Sequence, residues 1–315
     1  MFPEKETENS VNLEILLDRR EYSDALKLLL KFRQNSADNK FETDHKIIYC
    51  MIKTGMDKEA LSLIRKNIKF GYFFDLDGIV FDKLRKYDEF NTLEKINHKL
   101  IKRENENTLP KNNIFLPENY GKKLSYPAII ILHDEGINGN LYKVQKQWPF
   151  KDYIKNGFVV SYFQSSQISC SDCYSWMNDL KKANDDIKTL YYELLEDYLI
   201  NENEIFLAGI GGGADAALYT AIKSSVFFKG IILQNPSYFD IPVFNSLEIE
   251  KIKKTSFLLL QNEKADERDI EFQNEILKLL EANSIKCQKI CNEEIRISVP
   301  SDIVKKTLKS GLFGI

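Results

Sequence analysis

The stretch 205-IFLAGIGGGADAALYT-220 decides how this chain of 315 residues is read. Ile205-Phe206-Leu207 is an apolar run of the kind found in a strand buried on both faces. Glycines at 209, 211, 212 and 213 follow, and Ala214, Ala216 and Ala217 then open a small-residue helix. Glycine admits positive φ and close backbone approach, so the spacing predicts a tight turn with the helix packed hard against its strand. Such strand–turn–helix units mount catalytic nucleophiles, cradle anions or open dinucleotide sites.

Outward from this turn, short apolar runs alternate with helical patterns. Strands are expected at IFLP (114–117), AIIILH (128–133), FVVSYF (158–163), EIFLAG (204–209), GIILQN (230–235), SFLLLQ (256–261) and IKCQKI (285–290). Helices are expected at Tyr142–Lys155, Trp176–Leu199, Gly212–Ser224 and Asp269–Ala282, with a closing helix after Ser301. Alternation of this kind implies a mostly parallel sheet flanked by helices, a three-layer α/β domain with its site at the carboxyl ends of the strands.

The first hundred residues have a different texture. VNLEILLDRREYSDALKLLLKFR carries leucines at three-and-four spacing, and DHKIIYCMIKTG and DKEALSLIRKNIKFGYF each end at a glycine stop. The polar segment NENTLPKNN, with Pro110, reads as the boundary. The expected organisation is an all-α helical region over 1–104 and an α/β domain over 105–315.

Bulk composition removes several partner classes. Lys+Arg number 44 and Asp+Glu 47, for a formal net charge of -3 with no basic block, so nucleic acid is not an expected partner. No apolar run approaches the roughly 18 residues of a membrane helix, and MFPEKETENS is charged and polar, so a cytoplasmic protein is expected. Five cysteines are too few and too irregular for a disulfide framework. Cys170-x2-Cys173 with Cys287-x3-Cys291 invites a zinc reading, but neither pair has a knuckle sequence, so no metal is expected.

Taken together, YPAIIILHDEG, NGFVVSYFQSSQ, CYSWMNDLKKANDDIKTLYYELL, AGIGGGADAALYT, ILQNPS and FLLLQNEKADERDIEFQNEILKLLEANSIKCQKI resemble, in that order, the small bacterial esterase branch of the α/β-hydrolase fold. The short helices ahead of them resemble a degenerate tetratricopeptide-like array. ALSLIRKNIKFGYFF with FDKLRKYDEFNTL is similar to a repeat-and-tail found before some bacterial esterase-like domains.

The resemblance implies a nucleophile elbow G-x-S-x-G, and here the five positions are Gly209-Ile210-Gly211-Gly212-Gly213. The serine position is Gly211, which has no side chain with which to attack. The implied acid falls at Asp266, with Asp269 as the other candidate. The implied histidine falls in NEEIRISVP, where Arg296-Ile297 stands instead. Arginine stays protonated and cannot be a general base. The chain has three histidines, His45, His98 and His133, and none follows the elbow.

The same residues admit three further readings. A vestigial oxyanion pocket between His133-Asp134-Glu135 and Gly211-Gly212-Gly213 would bind a small anionic ligand at the helix amino terminus, although the two carboxylates would oppose it. Gly209-x-Gly211-x-x-Ala214 fits a loose dinucleotide pattern, but several strands precede it and the next strand ends at Gln234-Asn235 without an acid, so no cofactor is expected. A displaced nucleophile, Ser165 or Cys170 with His133 as base, would make the chain an active carboxylesterase or acyl hydrolase. The reading preferred from sequence is a catalytically degenerate pseudo-esterase that acts by binding a ligand or, through the helical region, a protein or peptide.

Overall fold

The computed structural model describes residues 12–13, 15–17, 19–35, 40–237 and 246–292. Two compact units emerge, one running to Asn107 and taking in Ser169–Ser171, the other comprising Thr108–Ile168 and continuing from Asp172. Ser171 belongs with the first unit because its hydroxyl accepts from Phe73 N at 2.9 Å while its N–H donates to Phe73 O at 2.9 Å.

The first unit is helical. Its helices are α1 (Tyr22–Asn35), α2 (Lys40–Lys53), α3 (Asp57–Lys69) and α4 (Asp88–Asn105), with a 3-10 turn at Ile79–Leu84. Consecutive helices pack on one another and bury Ala25, Leu29, Ile47, Ile48, Ala60, Ile64, Phe74 and Phe90. The helical pattern expected to run through residues 11–33 is interrupted. Arg20 takes a φ of 59° and Glu21 N–H closes back on Leu16 O, so the chain stops and restarts at Tyr22. Two buried polar groups order the core. Asn97 accepts from Phe74 N–H at 2.8 Å and donates to Phe74 O at 2.6 Å, satisfying both backbone groups of one buried residue. Asp44 is held by Arg33 and by Asn67.

The second unit is built on a seven-stranded sheet. Its members are β1 (Lys111–Phe115), β2 (Tyr126–Leu132), β3 (Val159–Gln164), β6 (Ile200–Ile210), β7 (Gly230–Gln234), β8 (Ser256–Gln261) and β9 (Cys287–Cys291), in the order β1-β3-β2-β6-β7-β8-β9. Every neighbouring pair is parallel except β1 with β3. The helices are α5 (Leu141–Gln147), α6 (Lys151–Lys155), α7 (Leu180–Asp197), α8 (Gly212–Lys223), α9 (Ser246–Ile252) and α10 (Glu267–Ala282). Alternate strand residues point to two cores. Ile130, Leu132, Leu207 and Leu233 meet Ile187, Leu194 and Ala217, while Ile129, Ile131, Ala208 and Ile232 meet Val144, Trp148 and Tyr153. This is the three-layer α/β domain that the alternating apolar runs implied.

Several boundaries differ from expectation. The helix expected at Tyr142–Lys155 is two, because Pro149 excludes Trp148 from helical geometry, and Trp148 sits at φ −129° and ψ 87°. The first strand starts earlier than 114 and stops at Phe115, two residues short of Pro117, which has no N–H to give to a ladder. A short hairpin, β4 (Ile168–Cys170) with β5 (Cys173–Tyr174), and the helix α9 were not foreseen. Cys170 and Cys173 are disulfide-bonded, so they hold no thiolate for zinc, whereas Cys287 and Cys291 are free thiols. The closing helix expected after Ser301, and Arg296-Ile297, lie outside the described residues. Among the described residues no helix is long and apolar enough to cross a membrane.

Candidate active site

Because β2, β3, β6, β7 and β8 are parallel, their following loops all leave from one edge of the sheet. His133-Asp134-Glu135 follows β2, Ser165-Ser166 follows β3, Gly211 follows β6, and Asp266 lies between β8 and α10. One sheet edge thus receives the His133 loop, Ser165-Ser166, Gly211 and Asp266.

Gly211 stands at φ 51° and ψ −121°, a conformation that strains any L side chain. Its N–H donates to Gln234 O at 2.9 Å, and its own carbonyl accepts from Ala214 N–H and Asp215 N–H as α8 begins. The neighbouring glycines are fixed by crowding. A Cβ on Gly209 would stand 2.1 Å from Gly213 O, and one on Gly213 would stand 2.3 Å from His133 O. Both obstacles are backbone, so the strand, the helix and the β2 loop touch here without intervening side chains.

The space beside Gly211 is filled. Asp134 Oδ1 lies 2.0 Å from where a Cβ of residue 211 would be, and Glu135 Cγ lies 2.3 Å from the corresponding point on Gly212. Asp134 Oδ1 accepts from Glu135 N–H at 2.8 Å, and the Gly212 N–H faces the same carboxylate and favours its charged form. Glu135 Oε1 accepts from Trp176 N–H at 2.8 Å and the Ser175 hydroxyl also serves it, while Met177 N–H donates to Ser175 Oγ at 3.0 Å. Burial raises the carboxyl pKa of Asp134, and pushes that of Glu135 up to about 7, with the Asp134 charge adding to the effect. The three glycines and two acids expected around the pocket are together, and the acids fill the room between them.

His133 is fully buried, and both its ring nitrogens are engaged. Nε2 accepts from Ser165 N–H at 3.2 Å, which leaves the proton on Nδ1 to donate to Asp134 O at 2.6 Å. The imidazole stacks on Trp176, and burial lowers its pKa to about 4. His133 and Ser165 therefore meet, but through the serine's amide. The Ser165 hydroxyl donates to Asp186 Oδ2 at 3.4 Å and accepts from Gln167 N–H, while Ser166 gives Asp186 both its N–H and its hydroxyl. Cys170, the other displaced nucleophile considered, is in its disulfide. Asp266 is exposed at the start of α10 and Asp269 is partly covered one turn later.

Asp186, the acceptor of both serine hydroxyls, was not anticipated. Its signal was legible: it interrupts the buried stripe Ala183, Ile187, Leu190 and Leu194 of α7, where a carboxylate needs a partner.

Solved structures share this architecture. A protein of Bacillus cereus ATCC 10987 described as uncharacterized aligns over 96% of this chain and 97% of its own, with TM-score 0.52 and 17% identity. The crystal structure of esterase PE8 aligns over 64% of this chain and 97% of its own, with TM-score 0.51 and 13% identity. A thermostable esterase aligns over 64% of this chain and 59% of its own, with TM-score 0.50 and 16% identity. No protein-family model and no curated protein matches the sequence. The fold is the α/β-hydrolase fold, preceded by helices. At these identities the likeness extends to the fold alone.

Proposed function

We propose that this protein is a catalytically silent member of the esterase-like α/β-hydrolases, a pseudo-esterase that works by binding. The observation that carries the reading is the elbow itself. Gly211, where the resemblance puts the serine, turns at φ 51° and ψ −121°, and the room for a side chain there is taken by Asp134. The sequence reinforces it, since no histidine follows position 133 to act as base in the hydrolase chain order. Glycine is the residue that keeps this strained turn at least cost while removing the attacking atom.

The helical unit supplies the proposed protein- or peptide-binding surface, by analogy with tetratricopeptide-like arrays whose stacked helices form grooves. A small ligand at the carboxyl edge of the sheet is the other binding mode, and cytoplasmic location remains part of the proposal. A second reading, an acyl hydrolase with Ser165 as nucleophile and His133 as base, draws on their contact at 3.2 Å. It requires Nε2 to exchange the Ser165 amide for its hydroxyl, which is buried and directed to Asp186.

Reaction with a fluorophosphonate probe, followed by peptide mapping, separates the two. The silent reading expects no labelled serine beside a labelled intact esterase. A label on Ser165 that disappears in His133→Ala would replace it with the displaced-nucleophile hydrolase.

A further inference from the structure

Resting on the silent reading, we infer that Asp134 is the resident occupant of the elbow, its carboxylate standing in the place of a residue-211 side chain and clasping the β2 loop to the start of α8. The whole carboxyl group lines that place. From the position of a Gly211 Cβ, Oδ1 lies at 2.0 Å, Cγ at 2.8 Å and Oδ2 at 3.4 Å. The Gly212 N–H, one of the donors that open α8, faces the same group and favours its charged form. A negative group at the positive end of a helix dipole is favourably placed, so the clasp stabilises the turn it blocks.

Glu135 does the parallel work one step along. Its side chain covers Gly212, and its carboxylate takes Trp176 N–H and the Ser175 hydroxyl, whose oxygen in turn accepts from Met177 N–H. Two adjacent acids thereby close two neighbouring sets of donors. The turn is kept as an internal fastening, and Gly211 and Asp134 form one device: a side chain at 211 and a carboxylate at 134 exclude each other. This goes further than relief of strain at a positive φ, which would need glycine at 211 whatever residue stood at 134.

A double-mutant cycle on the full chain tests it, with thermal unfolding as the readout. Gly211→Ala, Asp134→Gly and their combination are compared with the unmodified protein. The positive-φ strain of Gly211→Ala is common to both backgrounds, whereas the collision with the carboxylate exists in one. The expected result is a Tm loss from Gly211→Ala that is several degrees smaller when Asp134 has been removed. Equal losses in the two backgrounds would overturn the clasp. Where Asp134→Gly yields no folded protein, Asp134→Ser, which is shorter and keeps an acceptor oxygen, takes its place in the cycle.

Sodium formate supplies an independent arm, with sodium chloride as the ionic control. Formate should raise the Tm of Asp134→Gly more than that of the unmodified chain, because a free carboxylate can then take the vacated N–H groups. A formate effect identical in both proteins would count against the clasp. Failure of the silent reading looks different: a fluorophosphonate-labelled serine in the unmodified protein overturns that reading, whatever the cycle returns.

Discussion

Trp176 grips His133 from two directions: its indole N–H donates to His133 O at 3.1 Å, and its ring lies 4.9 Å from the imidazole it stacks on. Its backbone N–H meanwhile donates to Glu135. One residue therefore fixes the start of the β2 loop, and its removal should loosen that loop. Trp176→Phe, which keeps an aromatic face and loses the N–H, should cost about 1–2 kcal/mol by leaving His133 O without that donor. Trp176→Ala should cost about 3–5 kcal/mol through the cavity it leaves. Urea denaturation of both variants checks the order and the gap.

Acid should destabilise the fold through the buried His133 and the half-buried His45, and Glu135 should oppose them. Burial lowers His45 and His133 from 6.5 to about 4, so between those values the unfolded chain binds protons that the folded chain refuses. Stability contributed by them is present above pH 6.5 and lost as pH falls towards 4. Glu135 has the opposite sign. Its folded pKa of about 7 lies above the ordinary 4.5, so its contribution is full below the unfolded value and is lost as pH rises through 7. Glu135→Gln should accordingly steepen the loss of stability between pH 7 and 4.5. Tm measured across that range in both proteins decides the matter, and parallel curves would contradict the assignment.

Asp186 should prove costly to replace. It is buried and accepts from Ser165 Oγ, Ser166 N and Ser166 Oγ, with Lys182 Nζ at 3.7 Å. Asp186→Ala strands three buried donors at once and should cost about 3 kcal/mol or more. Ser166→Ala removes one hydroxyl and leaves the amide bond in place, so it should cost about 1 kcal/mol. Chemical denaturation of the two variants gives the comparison.

On the silent reading, a serine placed at the elbow should create no hydrolase activity. Gly211→Ser, alone or with Asp134→Gly, still lacks a histidine downstream to take the proton, and the single variant also meets the Asp134 carboxylate. Hydrolysis of p-nitrophenyl acetate by either variant should not exceed that of the unmodified protein. A hundredfold gain would show that a base is already poised there.

The sheet was legible because its strands are buried on both faces and so read as unbroken apolar runs, as in Ile129–Leu132 and Phe257–Leu260. The elbow was legible because four glycines in five positions have few other physical reasons to exist. The split of the helix at Trp148-Pro149 was written in the proline and passed over. The hairpin at Ile168–Tyr174 carries only two or three residues per strand, too few for alternation to register. What the two acids do was hidden for a different reason. Composition marks Asp134 and Glu135 as obstacles to an anion, but only the turn of the β2 loop reveals that they use the donors an anion would have used. Asp186 was legible as a polar break in the buried stripe of its eighteen-residue helix, but its partners, Ser165 and Ser166, lie in another loop that helical spacing does not reveal.

The pairing of β2 with β6 runs in parallel from Ala128 opposite Ile205 to Leu132 opposite Gly209. This register works like a ruler, and the identity of the residue over the elbow is set by counting along it. Asp134 is two positions beyond Leu132, and Gly211 is two beyond Gly209. Lengthening or shortening the chain by one residue between Leu132 and Asp134 would bring a neighbour to the elbow instead. The chemistry presented at this turn is thus governed by the length of the loop as much as by its composition, and homologous chains with a loop one residue different would expose another group there.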